Sequence, residues 1–242
     1  MTIKDNLSLS RLFVTKQITI FVDQSSFTLK VKTIKDLFED DQWNAVYHLW
    51  TLPVTKAQTM LPVKIQTEWD GIEAILFKLG AYDKFRDLCN LFVHYIQEIL
   101  PEAAVDFATK KIQIKNITMT NEIWEYILYI LKYIQGEKVT KPLIFTSEEA
   151  KQFYLAQKAN EERIAAIRQK NQKVDEDALA KILLSITYAF PSMTIDYLIN
   201  QTMAQIQWLQ KHAAGAVSYE VNARAFAAGN MKKGKKLDFF LK

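Results

Sequence analysis

The chain has 242 residues, 49% hydrophobic and 12% aromatic, which is too apolar for a disordered protein and enough for one sizeable core or two modest ones. Its formal charge of +4 resides entirely in the last dozen residues, Met231–Lys242 (MKKGKKLDFFLK). The rest of the chain is electrically balanced, which argues against a broad nucleic-acid footprint.

Six glycines and five prolines are few for this length and favour long helices over an all-β fold, which needs many tight turns. The single cysteine, Cys89, has no internal partner and points to a reducing compartment. It lies in a hydrophobic run, where a thiol behaves as a small apolar group rather than a nucleophile. The N-terminus, MTIKDNLSLSRLF, lacks the apolar region of a signal peptide, and no uninterrupted apolar stretch approaches about 20 residues. The expectation is a soluble cytoplasmic product with no membrane partner.

In chain order, Gln17–Val22 and Phe27–Lys32 read as a β-hairpin, with Asp23, Gln24, Ser25 and Ser26 as its turn. Thr33 and Asp36 carry the chemistry of a helix start, and helical pattern continues with a break to Trp50. Pro53 and Pro62 bracket a short helix. Thr67–Leu79 is another, with Gly71 tolerated and Gly80 placed to end it in a positive-φ conformation. Tyr82–Leu100 spaces Phe85, Leu88, Phe92, Tyr95 and Ile99 by three and four, and Pro101 closes it.

A second hairpin is predicted over Ala104–Ile117, turning at Ala108–Lys111. Thr120 then caps a helix over Ile123, Tyr126, Ile127, Ile130 and Leu131 that stops at Gly136. Val139–Phe145, with Pro142, reads as extended. Thr146 and Glu149 form a capping box for a helix from Ser147 to about Lys173 whose apolar stripe thins after Leu155. Its pattern fits a solvated, partly free-standing helix; a linker or a seam for a partner are the alternatives.

Asp175–Phe190 is amphipathic and stopped by Pro191, and Ser192 or Thr194 starts a short helix to Ile199. Thr202 and Gln205 repeat the capping-box pattern. The alanine-rich stretch Ala213–Ala228 follows, broken by Gly215 and ended by Gly229; small residues there suit close helix packing or self-association. The expected fold is mainly α, of the α+β class: helical bundles with two small β-hairpins, the first near the N-terminus. The expected division is a hairpin-plus-helices domain over 1–145, a connecting helix over 146–173 and a C-terminal helical domain over 174–242.

The sequence offers no catalytic constellation. His48, His94 and His212 are far apart, and only His94 has a carboxylate one helical turn away, Glu98. His94 therefore reads as a core or boundary histidine rather than a ligand. Asp40-Asp41, Glu148-Glu149 and Glu161-Glu162 are neighbours that cannot face each other on a helix, so they read as caps and solvated faces. No motif for a metal, nucleotide or nucleophilic serine is present. The expectation is a protein without catalytic, cofactor-binding or metal residues, and not an enzyme.

Trp43, Trp50, Trp69 and Trp124 fall in core positions of helical pattern, whereas Trp208, in QIQWLQK, is the one expected at an interface. The tail resists a core reading. Lys232, Lys233, Lys235 and Lys236 surround Gly234, and Leu237, Phe239, Phe240 and Leu241 form an apolar plug. It can dock on its own domain, dock on a neighbouring subunit or contact phosphates; four lysines are few for strong nucleic-acid binding.

Two stretches carry a family resemblance. VDQSSFTLKVKTIKDLFED, from Val22 to Asp40, resembles the opening of tail-assembly chaperones and baseplate accessory proteins of long-tailed bacteriophages. TIDYLINQTMAQIQWLQKHAAGAVSYEVNARAFAAGN, from Thr194 to Asn230, is similar to their C-terminal block, through Thr202–Gln205, Tyr219-Glu220 and Ala223–Gly229. Trp43–Lys173 has no counterpart in it. The resemblance implies a non-enzymatic protein of tail or baseplate assembly, chaperone or structural component, in the host cytoplasm or the virion tail. Its partners would be other tail or baseplate proteins, with self-association left open. The competing readings are a nucleic-acid-associated phage accessory factor for replication or helicase loading, which rests on the basic tail, and an enzyme with a dispersed site.

Overall fold

The structure is a computed structural model and describes residues 2–8, 12–13, 15–137, 139 and 177–228. The expected capping box at Thr146, the helix to Lys173, the stop at Gly229 and the basic tail lie outside the described residues. So does all of the expected extended segment Val139–Phe145 beyond its first residue.

The fold is mainly α with two small antiparallel sheets, each of three strands rather than the two expected. In the first, β1 (Ile3–Asp5) pairs with β2 (Gln17–Val22), which pairs with β3 (Ser25–Lys30). Ile18, Ile20 and Val22 alternate inward opposite Phe27 and Leu29, the period-2 burial of a sheet with one covered face. The hairpin turn is tighter than predicted. Val22 pairs directly with Ser25, leaving Asp23 and Gln24 as a two-residue loop with Asp23 at φ 51°. Aspartate tolerates that left-handed conformation, and its carboxylate accepts the Thr2 amide at 2.7 Å, which draws β1 onto the hairpin.

Helix α1 (Ile34–Glu39) begins at a complete capping box: Thr33 Oγ1 accepts the Asp36 amide and Asp36 accepts the Thr33 amide. The break then falls at Asp40, which caps α2 (Asp41–Trp50) by accepting the Trp43 amide at 3.0 Å. Helix α3 (Val54–Met60) sits between the two prolines, as expected. Helix α4 (Glu68–Glu73) starts at the Thr67–Asp70 box and widens into a π-helical turn over Ala74–Leu79. Gly80 follows at φ −60°, so the expectation of a positive φ there is wrong. What requires glycine is space: a Cβ at position 80 would lie 2.7 Å from Cys89 Sγ and 2.9 Å from the Leu76 carbonyl oxygen.

Helix α5 (Asp83–Ile99) leads into the second sheet, β4 (Ala103–Asp106), β5 (Lys111–Ile114) and β6 (Ile117–Thr118), in that order. Asp106 holds its turn by accepting the Ala108 and Thr109 amides and the Thr109 hydroxyl. Lys115 pairs with Glu102 at 2.7 Å and reaches the Ser26 carbonyl at 3.4 Å, which ties this sheet to the first. Helix α6 (Asn121–Ile134) is capped by Thr120 and ends before Gly136, at φ +76°.

These elements enclose one large core, with a small separate cluster of Ala57, Ile65 and Ala74 beneath α3. Trp43, Trp50 and Trp124 are fully buried and stack edge to face at 5.6 and 5.3 Å; Trp69 joins Trp124 at 5.6 Å.

The C-terminal helices are α7 (Ala178–Ala189), α8 (Ile195–Ile199), capped by Thr194, and α9 (Met203–Ala227). The Thr202–Gln205 box is formed in both directions, at 2.8 and 3.3 Å. Gly215 does not break α9, which runs through it; a single glycine costs a helix only about 1 kcal/mol relative to alanine, too little to stop one built on both sides. Leu183, Ile186, Leu198, Ile206, Leu209 and Ala213 form a second core, and Ile34 of α1 is inserted into it. None of the described helices is long and apolar enough to cross a membrane.

Candidate interaction surface

The titratable groups that sequence order keeps apart converge at one place. Lys32, just after β3, has its ammonium 2.5 Å from Glu98 of α5 and 3.5 Å from Asp40. The same ammonium lies over the rings of Trp43 and Tyr95, at 5.3 and 5.6 Å. Tyr95 Oη donates to Asp40 at 2.5 Å. Burial pushes the Asp40 carboxyl up, but hydrogen bonds from Tyr95 and the Trp43 amide, with Lys32 alongside, hold it below the ordinary carboxylate value. Burial and the Asp40 hydrogen bond raise the Tyr95 phenol, which stays neutral and donating.

A cleft of about 160 Å³ beside Lys32, lined by Lys30, Asp36 and Glu98, opens onto this cluster. The Lys32 side chain is 11% exposed and already faces two carboxylates and two rings. The cluster therefore fastens the end of the first hairpin to α2 and α5. Its lysine is committed to that contact rather than presented to a substrate.

The other candidate chemistry is dispersed. Cys89 is buried, its thiol donates to the Leu76 carbonyl at 3.6 Å, and burial pushes its pKa up, which makes it a poor nucleophile. His94 is exposed rather than a core residue, with its ring edge-on to Tyr95 at 5.0 Å. Position 94 falls on the outward side of α5, between the inward positions Phe92, Tyr95 and Ile96. His48 is also exposed, and His212 stacks on Trp208 at 4.1 Å. Among the described residues no three His, Cys, Asp or Glu side chains converge as a metal site would require.

Of the twelve exposed large apolar side chains among the described residues, seven lie on the C-terminal helices, while Phe21, Phe38, Met60, Tyr82 and Phe107 are spread over the larger N-terminal body. On α7, Leu184 and Tyr188 stand one turn apart, away from the buried face of Leu183 and Ile186, and Tyr188 is 80% exposed. On α8, Ile195 and Tyr197 are exposed. On α9, the buried row Ile206, Leu209, Ala213 is continued in four-residue steps by Val217 and Val221, which are exposed. The helix thus carries its apolar row beyond the body that covers its first half.

Trp208 is 40% exposed, as its sequence context suggested, and stacks edge-on to Phe13 at 6.0 Å. It points from the side of α9 opposite Val217, since nine residues turn a helix by half a revolution. The other four tryptophans are core residues. Lys232, Lys233, Lys235, Lys236, Leu237, Phe239, Phe240 and Leu241 lie outside the described residues.

Leu184, Tyr188, Val217 and Val221 were not singled out by sequence reasoning. The available signal was an apolar pair at four-residue spacing on a face the core does not use. It is weak because the same pair on a covered face would read as core. Comparison with protein families, curated proteins and solved structures gave no match.

Proposed function

We propose that this chain is a non-enzymatic interaction protein that acts in the assembly of a bacteriophage tail or baseplate, as chaperone or structural component, through contacts on its C-terminal helices. The observation that carries the interaction reading is the row of Val217 and Val221 on α9, which continues a core stripe into solvent with Leu184 and Tyr188 exposed on α7. Exposed apolar side chains grouped on adjacent helices suit protein contact, and an exposed tryptophan is a frequent anchor of such contacts. The tail and baseplate setting is supported by the resemblance of Val22–Asp40 and Thr194–Asn230 to that family. The partners are other tail or baseplate proteins or further copies of the chain, met in the host cytoplasm, and the protein then leaves or stays in the tail.

Deletion of the gene from the genome that carries it tests this reading. The expected outcome is normal DNA synthesis and filled heads without functional tails in electron micrographs. A block in DNA synthesis with tail proteins made normally would overturn it in favour of a replication or helicase-loading factor.

A further inference from the structure

The two cores meet at a joint whose composition differs from both. The Ile34 amide donates to the Gln201 carbonyl at 2.9 Å, and the Ile34 side chain enters the C-terminal core. Lys16, just before β2, donates its ammonium to Gln201 Oε1 at 2.7 Å. Leaving tyrosines and Cys89 aside, the buried polar side chains among the described residues are Thr33, Gln201, Thr202 and Gln205, and all four sit here. Gln205 is 0% exposed, and its Oε1 is fixed on the Thr202 amide. That leaves its Nε2 pointing away with no acceptor.

Docking thus sets the Ile34 peg, the Phe13 contact, the packing of α9 on α6 and a few directed bonds against two polar costs at this seam. A buried amide donor goes unmatched, and a partly buried ammonium is paired with a neutral amide rather than a carboxylate. Directed polar groups fix the register of a contact while contributing little net strength to it. Each body has an apolar core, and losing the joint takes Ile34 and Phe13 out of the C-terminal one while its members on α7, α8 and α9 stay together.

We propose that this joint is a latch, at which the helices α7 to α9 undock from the N-terminal body as a unit while both cores stay folded. Opening bares the slot between Leu198, Ile206 and Leu209 that Ile34 fills, and it frees Trp208 from Phe13. The latch governs when those surfaces can be met, whichever partner the exposed face of α9 takes.

Amide hydrogen exchange on the full chain, followed residue by residue at increasing urea below the unfolding transition, reads the latch directly, because the Ile34 amide bond crosses it. The expected result is protection of Ile34 at least about tenfold below that of Ile127 in α6 and Ile206 in α9, with a urea slope above zero but below the global one. Lys16→Met should lower Ile34 protection by about another tenfold and leave Ile127 unchanged. Equal protection of Ile34 and Ile127, moving together in the variant, would mean that the joint opens only with global unfolding. A zero urea slope at Ile34 would mean fraying of α1. Either result overturns the proposal.

Discussion

Asp40 shows how one side chain serves several elements. It ends α1, caps α2, accepts the Tyr95 hydroxyl and faces Lys32. Its carboxyl is held below its ordinary value of 3.8, so the folded state binds its proton more weakly than the unfolded state does. The stability this contributes is present above the ordinary carboxylate range and is lost as pH falls through it. Tyr95→Phe removes a bond that favours the carboxylate and should cost about 1 kcal/mol at neutral pH. It should also make the loss on acidification shallower. Asp40→Asn keeps a good cap but abolishes the charge, and it should flatten the acid dependence further. Urea unfolding of the three proteins at pH 7 and pH 3 checks both; an acid dependence unchanged in both variants would show that other carboxylates carry it. This cluster was hidden in the sequence because its members, at positions 32, 40, 43, 95 and 98, meet only after three elements have packed. Asp40 could be read as a cap, since that depends on residues three apart.

At the scale of elements, what was legible was local chemistry. The helix start read at Thr33 and the capping box read at Thr202 formed, and so did the proline-bracketed α3 and the stop at Gly136, while the box at Thr67–Asp70 went unread. Strands β1 and β6 were missed because three and two residues carry no periodicity; β1 exists by pairing Ile3 with Val22, far along the chain. The π-helical turn was also missed, and the close approach of Cys89 that excludes a side chain at Gly80 is a tertiary contact no local pattern announces. The continuity of α9 through Gly215 exposes Val217 and Val221 as an extension of a core row. Substituting both by lysine should leave stability within about 0.5 kcal/mol, because they cover nothing of the chain's own core. Ile206→Ala, in the same row but fully buried, should cost about 2–5 kcal/mol. Thermal or urea unfolding separates the two cases. A large loss in the valine variant would mean that this part of α9 is a structural face rather than a contact surface.

The described residues form two large apolar cores joined through a polar seam and a small third cluster around Ala57, Ile65 and Ala74, with seven of the twelve exposed large apolar side chains on the smaller body. The mainly α fold with an opening sheet was legible from glycine and proline scarcity and from the alternation of Phe27, Leu29 and Val31. The joint was not, because Lys16, Ile34 and Gln201 are distant in sequence and each is unremarkable alone. Of the candidate site, only Trp208 could be singled out by type; the other exposed residues become visible once the cores are known. On the proposed reading, the C-terminal helices are where this protein meets its partners during assembly. Site-specific photo-crosslinkers placed at Tyr188 and Val221, with Met60 on the N-terminal body as an exposed control, test it in cells producing particles. Crosslinks from 188 and 221 to a tail or baseplate subunit or to a second copy of the chain, with none from position 60, are the expected result. Crosslinks to DNA from 188 and 221, or protein crosslinks from position 60 alone, would contradict it.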